Sequence, residues 1–396
     1  MRRILLFLML AVATLGTRAQ AVSDSLEMSI LTCSPGDEVY SLYGHTALRC
    51  RDLGGSLDVA FNYGVFSFNQ PHFLWHFVLG ECDYMVWPTE WENFLTEYEE
   101  RGSSVTQQTL NLTTAEAKRL FELLVTNCQP ENRVYRYNYF YNNCTTKVRD
   151  ICEQAIDGHV VYPAQDEALT FRQHIHRYTR NHPWAQEGDD VLLGADVDTL
   201  IGERESMFLP ENLMRLAQQA VIIGPDGALR PLLKNAEIVL QARPQEAPHH
   251  GFLDFLLSPL GVGLMLLLVA LVLMAVEWRF GTWLWGFDAL LLLLRGLSGT
   301  LLCFMFFFSE HPAVGSNWLT VVLNPLAFVG LILVICAAKN GRTTRWFAFD
   351  FAILALFIVI YALGLQEFGK LVVPLTLVLV TRPISYYLFR QRKDRK

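Results

Sequence analysis

The cysteine at position 144 is the residue of this chain best placed for covalent chemistry. Cys144 follows Asn143 at the point where an aromatic loop, residues 134–143, gives way to a predicted helix that ends at Ala155. Unpaired N–H groups at a helix N-terminus stabilise a thiolate, and the same groups can bind an oxyanion. The position therefore indicates a nucleophile, although a structural or disulfide-bonded cysteine fits it equally well.

His45 and Asn62 are the candidate partners of that thiol. His45 lies in segment 43–47, whose polar–apolar alternation predicts a strand, and Asn62 lies on the next predicted strand. Adjacent antiparallel strands can bring the two side chains together. The histidine can then act as base for the thiol while the asparagine holds its tautomer, as in a Cys–His–Asn triad. A structural histidine and a turn-proximal asparagine are the alternatives.

Two histidine pairs favour structural roles over chemistry. His72 and His76 alternate with aromatic residues and fall on one face of a predicted edge strand, where packing is a simpler interpretation than metal ligation. His174 and His176 lie on a short helix, Thr170–Tyr178, that we expect to be solvated.

The cysteines leave the disulfide pattern open. Six lie in the part of the chain that we expect to be exported, where an oxidising compartment favours disulfides, but a catalytic thiol would leave an odd number. No paired CxxC spacing is present, so we expect no metal, and no cofactor. The six are Cys33, Cys50, Cys82, Cys128, Cys144 and Cys152.

The elements that must position these residues form an α+β domain, with strands first and helices later. A capping box at Thr113 and Glu116 marks one helix start, and a hairpin-like element is predicted from Val221–Ile223 and Glu237–Leu240. The other predicted strands are Ser29–Cys33, Val39–Arg49, Leu57–Tyr63, His72–Leu79, Tyr84–Val86 and Ser104–Leu110, and the predicted helices are 88–100, 113–127, 144–155 and 170–178.

The two ends of the chain indicate export and membrane insertion. Arg2 and Arg3 precede the apolar segment Ile4–Leu15, which is typical of a secretory signal. A membrane span needs about 20 apolar residues, and the C-terminal part offers about five such stretches. They are Phe255–Val276, Leu284–Phe308, Leu319–Ala338, Phe347–Leu363 and Leu371–Phe389.

Charge gives the orientation and excludes one class of partner. Cations concentrate after the first, third and fifth spans, so the positive-inside rule places the N-terminal domain outside and the C-terminus inside.

Asp288 and Arg295 lie seven residues apart in one span and indicate a structural ion pair. A net charge of −7 argues against nucleic-acid binding. We therefore expect a signal peptide 1–21, a periplasmic domain 22–241, a linker 242–251, a transmembrane domain 252–390 and a basic tail 391–396.

Several segments carry a resemblance to known enzymes. A Gly-His strand, a polar residue on the next strand and an Asn-Cys at a later helix start occur in that order in circularly permuted papain-like thiol enzymes. This is the NlpC-type superfamily, which includes lecithin:retinol acyltransferase. More specifically, the chain resembles the Lnb-type bacterial lipoprotein N-acyltransferases over nearly its whole length. The matching segments are 33–36, 43–49, 137–150, 170–172, 183–184, 309–312 and 324–325.

The resemblance implies a permuted papain-like fold and a reaction. Cys144 would take a fatty acyl chain from a membrane phospholipid as a thioester and pass it to the α-amine of a diacylglyceryl-cysteine on a lipoprotein. His45 would be general base and acid, and Asn62, where the superfamily often has histidine, would orient it. Separately from the resemblance, on geometric grounds, we expect Tyr43 or the backbone N–H of Cys144 to help hold the oxyanion.

Substrate contacts and competing functions complete the expectations. Asn143 is a candidate substrate-binding residue, and Glu310 and His311, on an outer loop, are candidates for a lipid head group. The expected location is the bacterial inner membrane. Two alternatives stay open: a periplasmic cysteine peptidase or cell-wall amidase with the same dyad, and a non-catalytic envelope assembly protein with Cys144 in a disulfide.

Overall fold

The computed structural model of the protein describes most of the chain, in two compact units. The predicted signal peptide and most of the predicted linker lie outside the described residues, which are 25–66, 71–165, 167–243 and 251–394. The first unit takes its residues from 1–77, 81–169 and 200–246, and the second from 78–80, 170–199 and 247–396.

The regular elements are ten strands and fourteen α-helices within the described residues. The strands are β1 Leu26–Cys33, β2 His45–Asp52, β3 Asp58–Val65, β4 Asp83–Glu90, β5 Val105–Leu110, β6 Val134–Arg136, β7 His159–Val161, β8 Val221–Ile223, β9 Leu229–Pro231 and β10 Leu233–Leu240. The helices are α1 Phe73–Leu79, α2 Trp91–Arg101, α3 Thr114–Asn127, α4 Cys144–Ala155, α5 Phe171–Thr179, α6 Pro183–Leu192, α7 Glu203–Ser206, α8 Pro210–Ala217, α9 Phe252–Leu257, α10 Pro259–Phe280, α11 Trp285–Phe308, α12 Leu326–Lys339, α13 Trp346–Ala362 and α14 Val372–Asp394.

A seven-stranded antiparallel sheet, with the order β10-β5-β1-β2-β3-β4-β6, organises the first unit. On one face, Leu48 and Phe61 belong to a buried cluster with Leu120 and Leu124 of α3 and Val148 of α4. Successive strand residues point to opposite faces, so their neighbours Ala47 and Ala60 face the other side. The central strands are therefore buried on both faces.

The second face of the sheet is covered by α2. Leu31, Ala47 and Ala60 pack there against Phe94 and Tyr98 of that helix. β2 and β3 lie between two helical layers, and a shift of one residue in their pairing would exchange the side chains on the two buried faces. Their register is therefore fixed. This register is what positions the candidate site.

The helix starts with local capping signals are confirmed. α3 begins after Thr113 with the predicted capping box to Glu116, and α4 begins at Cys144 after Asn143. The start of α2 differs from the prediction. Pro88 belongs to β4, where it stands opposite Phe61. A proline has no N–H to donate, and it is tolerated there because β6 pairs with β4 only at residues 83–85 and leaves the other edge of β4 unpaired at Pro88. The helix begins three residues later.

Two strand predictions are wrong. Segment 72–79, predicted as a strand, forms α1, and a left-handed His72 with φ of 58° precedes it. A short apolar run does not distinguish a strand from a buried or exposed helix by periodicity. The hairpin was also mispaired: β8 pairs with β9, whereas β10, which contains residues 237–240, pairs with β5 in the large sheet.

The second unit contains the long apolar helices. Four segments within the described residues are long and apolar enough to cross a membrane: Pro259–Phe280, Trp285–Phe308, Trp318–Lys339 and Val372–Lys393. The third of these consists of a short 3-10 turn and α12. A fifth apolar helix, α13, is shorter, with 17 residues, so a count of five spans stays a prediction.

The charged side chains of these helices pair between helices, which corrects the predicted pair of Asp288 with Arg295. Asp288 accepts from Arg382 of α14 at 2.6 Å, and Arg295 donates to Asp350 of α13 at 2.8 Å. Glu277 also accepts from Arg382, at 2.9 Å. Ion pairs of this kind satisfy charges that would be costly in hydrocarbon, and they tie four helices together.

A second correction concerns α5, which is buried rather than solvated. Arg172 and His174 are both buried, and the Arg172 guanidinium donates to Asp198 at 2.5 Å and to Asp190 at 2.9 Å. The same guanidinium also donates to the carbonyl oxygens of residues 193 and 194, each at 3.0 Å. Arg172 thus gathers α5, α6 and the loop after α6 around one charge.

This gathered segment belongs with the membrane helices. The Asn317 side chain donates to the Val191 carbonyl at 2.7 Å, and Gln366 donates to the Leu193 carbonyl at 3.1 Å. Both amides come from loops between apolar helices. Residues 170–199 are therefore an integral part of the second unit.

Replacing Arg172 by methionine should lower the free energy of unfolding by about 3–5 kcal/mol, since the buried Asp190 and the partly buried Asp198 would both lose this countercharge. The measurement is the thermal unfolding midpoint of the purified full-length protein. Arg180→Met, at an exposed position just after the same helix, is the matched control. Equal midpoints for the two variants would contradict the role assigned to Arg172.

Candidate active site

Asn143 builds the helix end that presents Cys144. Its side-chain oxygen accepts from the backbone N–H groups of Thr145 and Thr146, both at 2.9 Å. Its side-chain nitrogen donates to the carbonyl oxygens of Tyr139, at 2.8 Å, and Phe208, at 2.7 Å. Asn143 is only 4% exposed. These bonds define a positioning role, and a contact with substrate stays a prediction.

His45 and Asn62 lie side by side, as the strand pattern predicts. Asn62 stands opposite Ala47 in the β2–β3 register, two residues along from His45. His45 Nε2 donates to Asn62 Oδ1 at 3.2 Å, because a carbonyl oxygen can only accept. Asn62 Nδ2 donates in turn to Thr89 Oγ1 at 3.2 Å, which fixes the amide in the accepting orientation. Nδ1 is thereby left for the thiol.

A histidine–cysteine contact follows from this arrangement. The His45 and Cys144 side chains share a hydrogen bond, and the backbone N–H of Thr46 also donates to the Cys144 sulfur. Thr46 and Thr145 are joined by a hydroxyl–hydroxyl bond of 3.1 Å, which ties the start of β2 to the start of α4. The candidate nucleophile and its candidate base are thus held by bonds on both sides of their contact.

The pKa values of the two groups move towards each other. Burial raises the pKa of the Cys144 thiol, but the His45 charge, the bond to His45 and the Thr46 N–H lower it, and the net direction is down. Burial lowers the pKa of His45, but the Cys144 charge and the bonds to Cys144 and Asn62 raise it, and the net direction is up. The arrangement therefore stabilises both the thiolate form of Cys144 and the imidazolium form of His45 relative to the isolated groups.

Neighbouring cysteines show the contrast. Burial raises the pKa of Cys50 and of Cys128 to about 12, so both stay protonated thiols. Every cysteine of the chain lies in the described residues, and all eight are free. The alternative that needs Cys144 in a disulfide therefore gains no support.

The remaining predicted residues fall into two groups. Tyr43 packs edge-on against Tyr139, with ring centroids 5.2 Å apart, and its oxyanion role stays a prediction. Glu310 and His311 belong to the second unit, where the Glu310 N–H donates to the Leu79 carbonyl at 2.7 Å. Their role at a lipid head group also stays a prediction.

Sequence reasoning missed the residues that support the histidine. The ring of Tyr98 stacks on His45 with an interplanar angle of 12°, and Thr89 holds Asn62. Only the register of β3 with β4 and the packing of α2 bring them there, and no local pattern signals either.

Among the described residues, no group of three His, Cys, Asp or Glu side chains could hold a metal; His76 instead pairs with Glu81 at 2.7 Å.

Fold and site together define a class: a membrane protein whose α/β domain carries a cysteine–histidine–asparagine site. Comparison with protein families makes this specific. Residues 16–177 match the Lnb N-terminal periplasmic domain, and residues 252–394 match the Lnb transmembrane domain. The chain belongs to the Lnb family. No curated protein and no solved structure matches it.

The paired titration of the site predicts a specific pH dependence of Cys144 alkylation. A lowered thiol pKa means that the thiolate persists below pH 9.0, the ordinary value, so iodoacetamide should label Cys144 rapidly near neutral pH. In His45→Ala the stabilising charge is lost, and the labelling profile should move to higher pH. Peptide mass spectrometry on the full-length protein measures the rate.

The controls for this prediction are Cys144→Ser, which removes the labelled atom, and His159→Ala, which removes an exposed histidine of β7 outside the site. Superimposable pH profiles for wild type and His45→Ala would exclude the thiolate–imidazolium pair.

Proposed function

We propose that the protein is a lipoprotein N-acyltransferase that uses Cys144 as its nucleophile. The observation that carries the proposal is the contact of Cys144, at the capped start of α4, with a histidine oriented by Asn62. Membership of the Lnb family supports a role in lipoprotein processing at a membrane. A paired thiolate and imidazolium can carry out both steps of acyl transfer: acylation of the thiol, and transfer of the acyl group from the thiol to an acceptor.

In the first half-reaction the Cys144 thiolate attacks an ester carbonyl carbon of a phospholipid. The C–S bond forms and the negative charge moves to the carbonyl oxygen, where the N–H groups at the start of α4 and Tyr43 are candidate donors. The C–O bond to glycerol then breaks. His45 gives its proton to the leaving oxygen, so that a lysophospholipid departs and the thioester remains on Cys144.

In the second half-reaction the acceptor is the free α-amine of a diacylglyceryl-cysteine. Neutral His45 removes a proton from the attacking nitrogen as the C–N bond forms, and the C–S bond breaks. The thiolate and the imidazolium are regenerated, and the lipoprotein leaves with a third acyl chain. Asn62 keeps the imidazole in the tautomer that both proton transfers require.

Attachment to apolar helices suits this chemistry because donor and acceptor are both lipids. Confinement of enzyme and substrates to one surface raises their effective concentration without any further contact. The proposed arrangement has α10–α14 spanning the inner membrane, the catalytic domain in the periplasm and the C-terminus in the cytoplasm. A cysteine peptidase or amidase would act on polar substrates and would have no need of these spans.

The proposal predicts that the chain restores N-acylation to lipoproteins in a bacterial host that lacks its own N-acyltransferase. Cys144→Ala should abolish it because no thioester can form, and His45→Ala should lower the rate by about 10²–10⁴-fold, the usual contribution of a general base. Mass spectrometry of lipoprotein N-termini measures both.

Cys152→Ala, which alters a buried cysteine of the same helix, and His159→Ala, which alters an exposed histidine of β7, are the matched controls and should keep acylation. Wild-type protein that is present in the membrane yet yields no N-acylated lipoprotein would refute the proposed function. Release of free fatty acid or of a cleaved peptide instead would favour a hydrolase.

A further inference from the structure

Helix α1 presents an unusual surface for a helix of an exported domain. Six of its seven residues are apolar, and none of the seven is buried. Leu74 is 76% exposed, Trp75 54% and Phe77 41%. Contiguous exposed apolar surface of this kind marks a contact with a partner, a ligand or a lipid.

A continuous series of aromatic rings leads away from this helix. Phe73 stacks with Phe66 at a centroid distance of 6.0 Å, and Phe66 stacks with Tyr84 at 4.7 Å. Tyr84 stacks with Tyr137 at 4.3 Å. We call Phe73, Phe66, Tyr84 and Tyr137 the aromatic series. Each ring is only partly buried, so the series retains an accessible side.

The inner end of the series meets the reactive thiol. A Cβ built on Gly64 would lie 3.6 Å from Cys144 Cβ and 3.9 Å from Cε2 of Tyr137, so one small space adjoins both residues. Gly64 has a φ of 88°, a conformation that favours glycine, and it contributes no side chain to that space. The Cys144 charge also raises the pKa of Tyr137, after the larger effect of burial.

We propose that α1 and the aromatic series form the binding site for the long fatty acyl chain that is transferred through Cys144. The exposed face of α1 receives the chain from a phospholipid, and the series guides it to the thiol. This inference rests on the proposed acyl transfer and deepens it by assigning the chain to particular residues.

The chemistry of the series fits a fatty acyl chain better than a peptide. Aromatic faces bury apolar area without fixing hydrogen-bond partners, and a flexible hydrocarbon needs only such area. Nearby polar side chains are engaged with each other at the surface: His76 with Glu81 at 2.7 Å, and Asp83 with Arg136 at 2.9 Å. The continuity of the series with Cys144 selects a substrate chain over a docked protein partner.

The test compares two acyl donors on full-length protein in detergent. One donor is dipalmitoyl phosphatidylethanolamine, which has long chains, and the other is p-nitrophenyl acetate, whose acyl group is too short to extend from Cys144 along the series to Tyr84 or α1. Acylation of Cys144 is followed by mass spectrometry of the intact protein. The readout is the ratio of the rates with the long-chain and short-chain donors.

Leu74→Asp should lower this ratio roughly tenfold, the effect expected from losing about two buried methylene contacts. Leu229→Asp is the matched control, because Leu229 is also an apolar residue, 69% exposed, on β9 in the same unit. It should leave the ratio unchanged. Equal ratios for Leu74→Asp and wild type would overturn the site on α1.

A second pair of variants examines the middle of the series. Tyr84→Ala removes the ring that joins Phe66 to Tyr137 and should lower the long-chain preference, whereas Tyr84→Phe keeps the ring and should retain it. Indistinguishable ratios for the two variants would overturn guidance by the series. Failure of the proposed function is a separate result: wild-type protein would then react with p-nitrophenyl acetate but form no thioester with the phospholipid.

Discussion

The contact between the Cys144 and His45 side chains is the interaction on which the candidate site depends. It joins a helix start and a strand start about a hundred residues apart, and both side chains are partly buried, so a charge on either is stabilised by an opposite charge on the other. Three local devices hold it: the Asn143 cap fixes the first turn of α4, the Thr46–Thr145 bond joins the two elements, and Asn62 fixes the imidazole. The seven-stranded sheet, clamped between helical layers, keeps these devices in register.

Much of this site could be predicted because its signals are local. Asn143 before Cys144 is a capping signal that acts within one turn, and the structure places the cap there with two backbone bonds. The strand that carries His45 alternates regularly, and Asn62 follows on the next strand, so pairing of neighbours was enough to bring them together. The supporting residues Thr89 and Tyr98 were not predictable, since they reach the site through a third strand and a packed helix.

Predictions from the sequence were wrong where the structure or the ion-pair partner of a residue depends on residues far away in the sequence. Segment 72–79 is short and apolar throughout, and only its surroundings decide between helix and strand. Asp288 and Arg295 share a helix face, yet each found an opposite charge on another helix, because interhelical partners satisfy an ion more fully within a bundle. Arg172 lies in the helix that was predicted to be solvated. It is buried because its carboxylate acceptors lie 18 to 26 residues further along the chain, where the helix pattern gives no sign of them.

The assignment of residues 170–199 to the second unit has an evolutionary consequence. The chain leaves the first unit after Leu169 and returns to it at Leu200, so the first unit is not one uninterrupted stretch of sequence. A recombination event with a single crossover would therefore separate Arg172 from the loops that carry Asn317 and Gln366, or separate α8 and β10 from the rest of the first unit. We therefore expect the two units to be inherited together, with residues 170–199 accompanying the membrane helices.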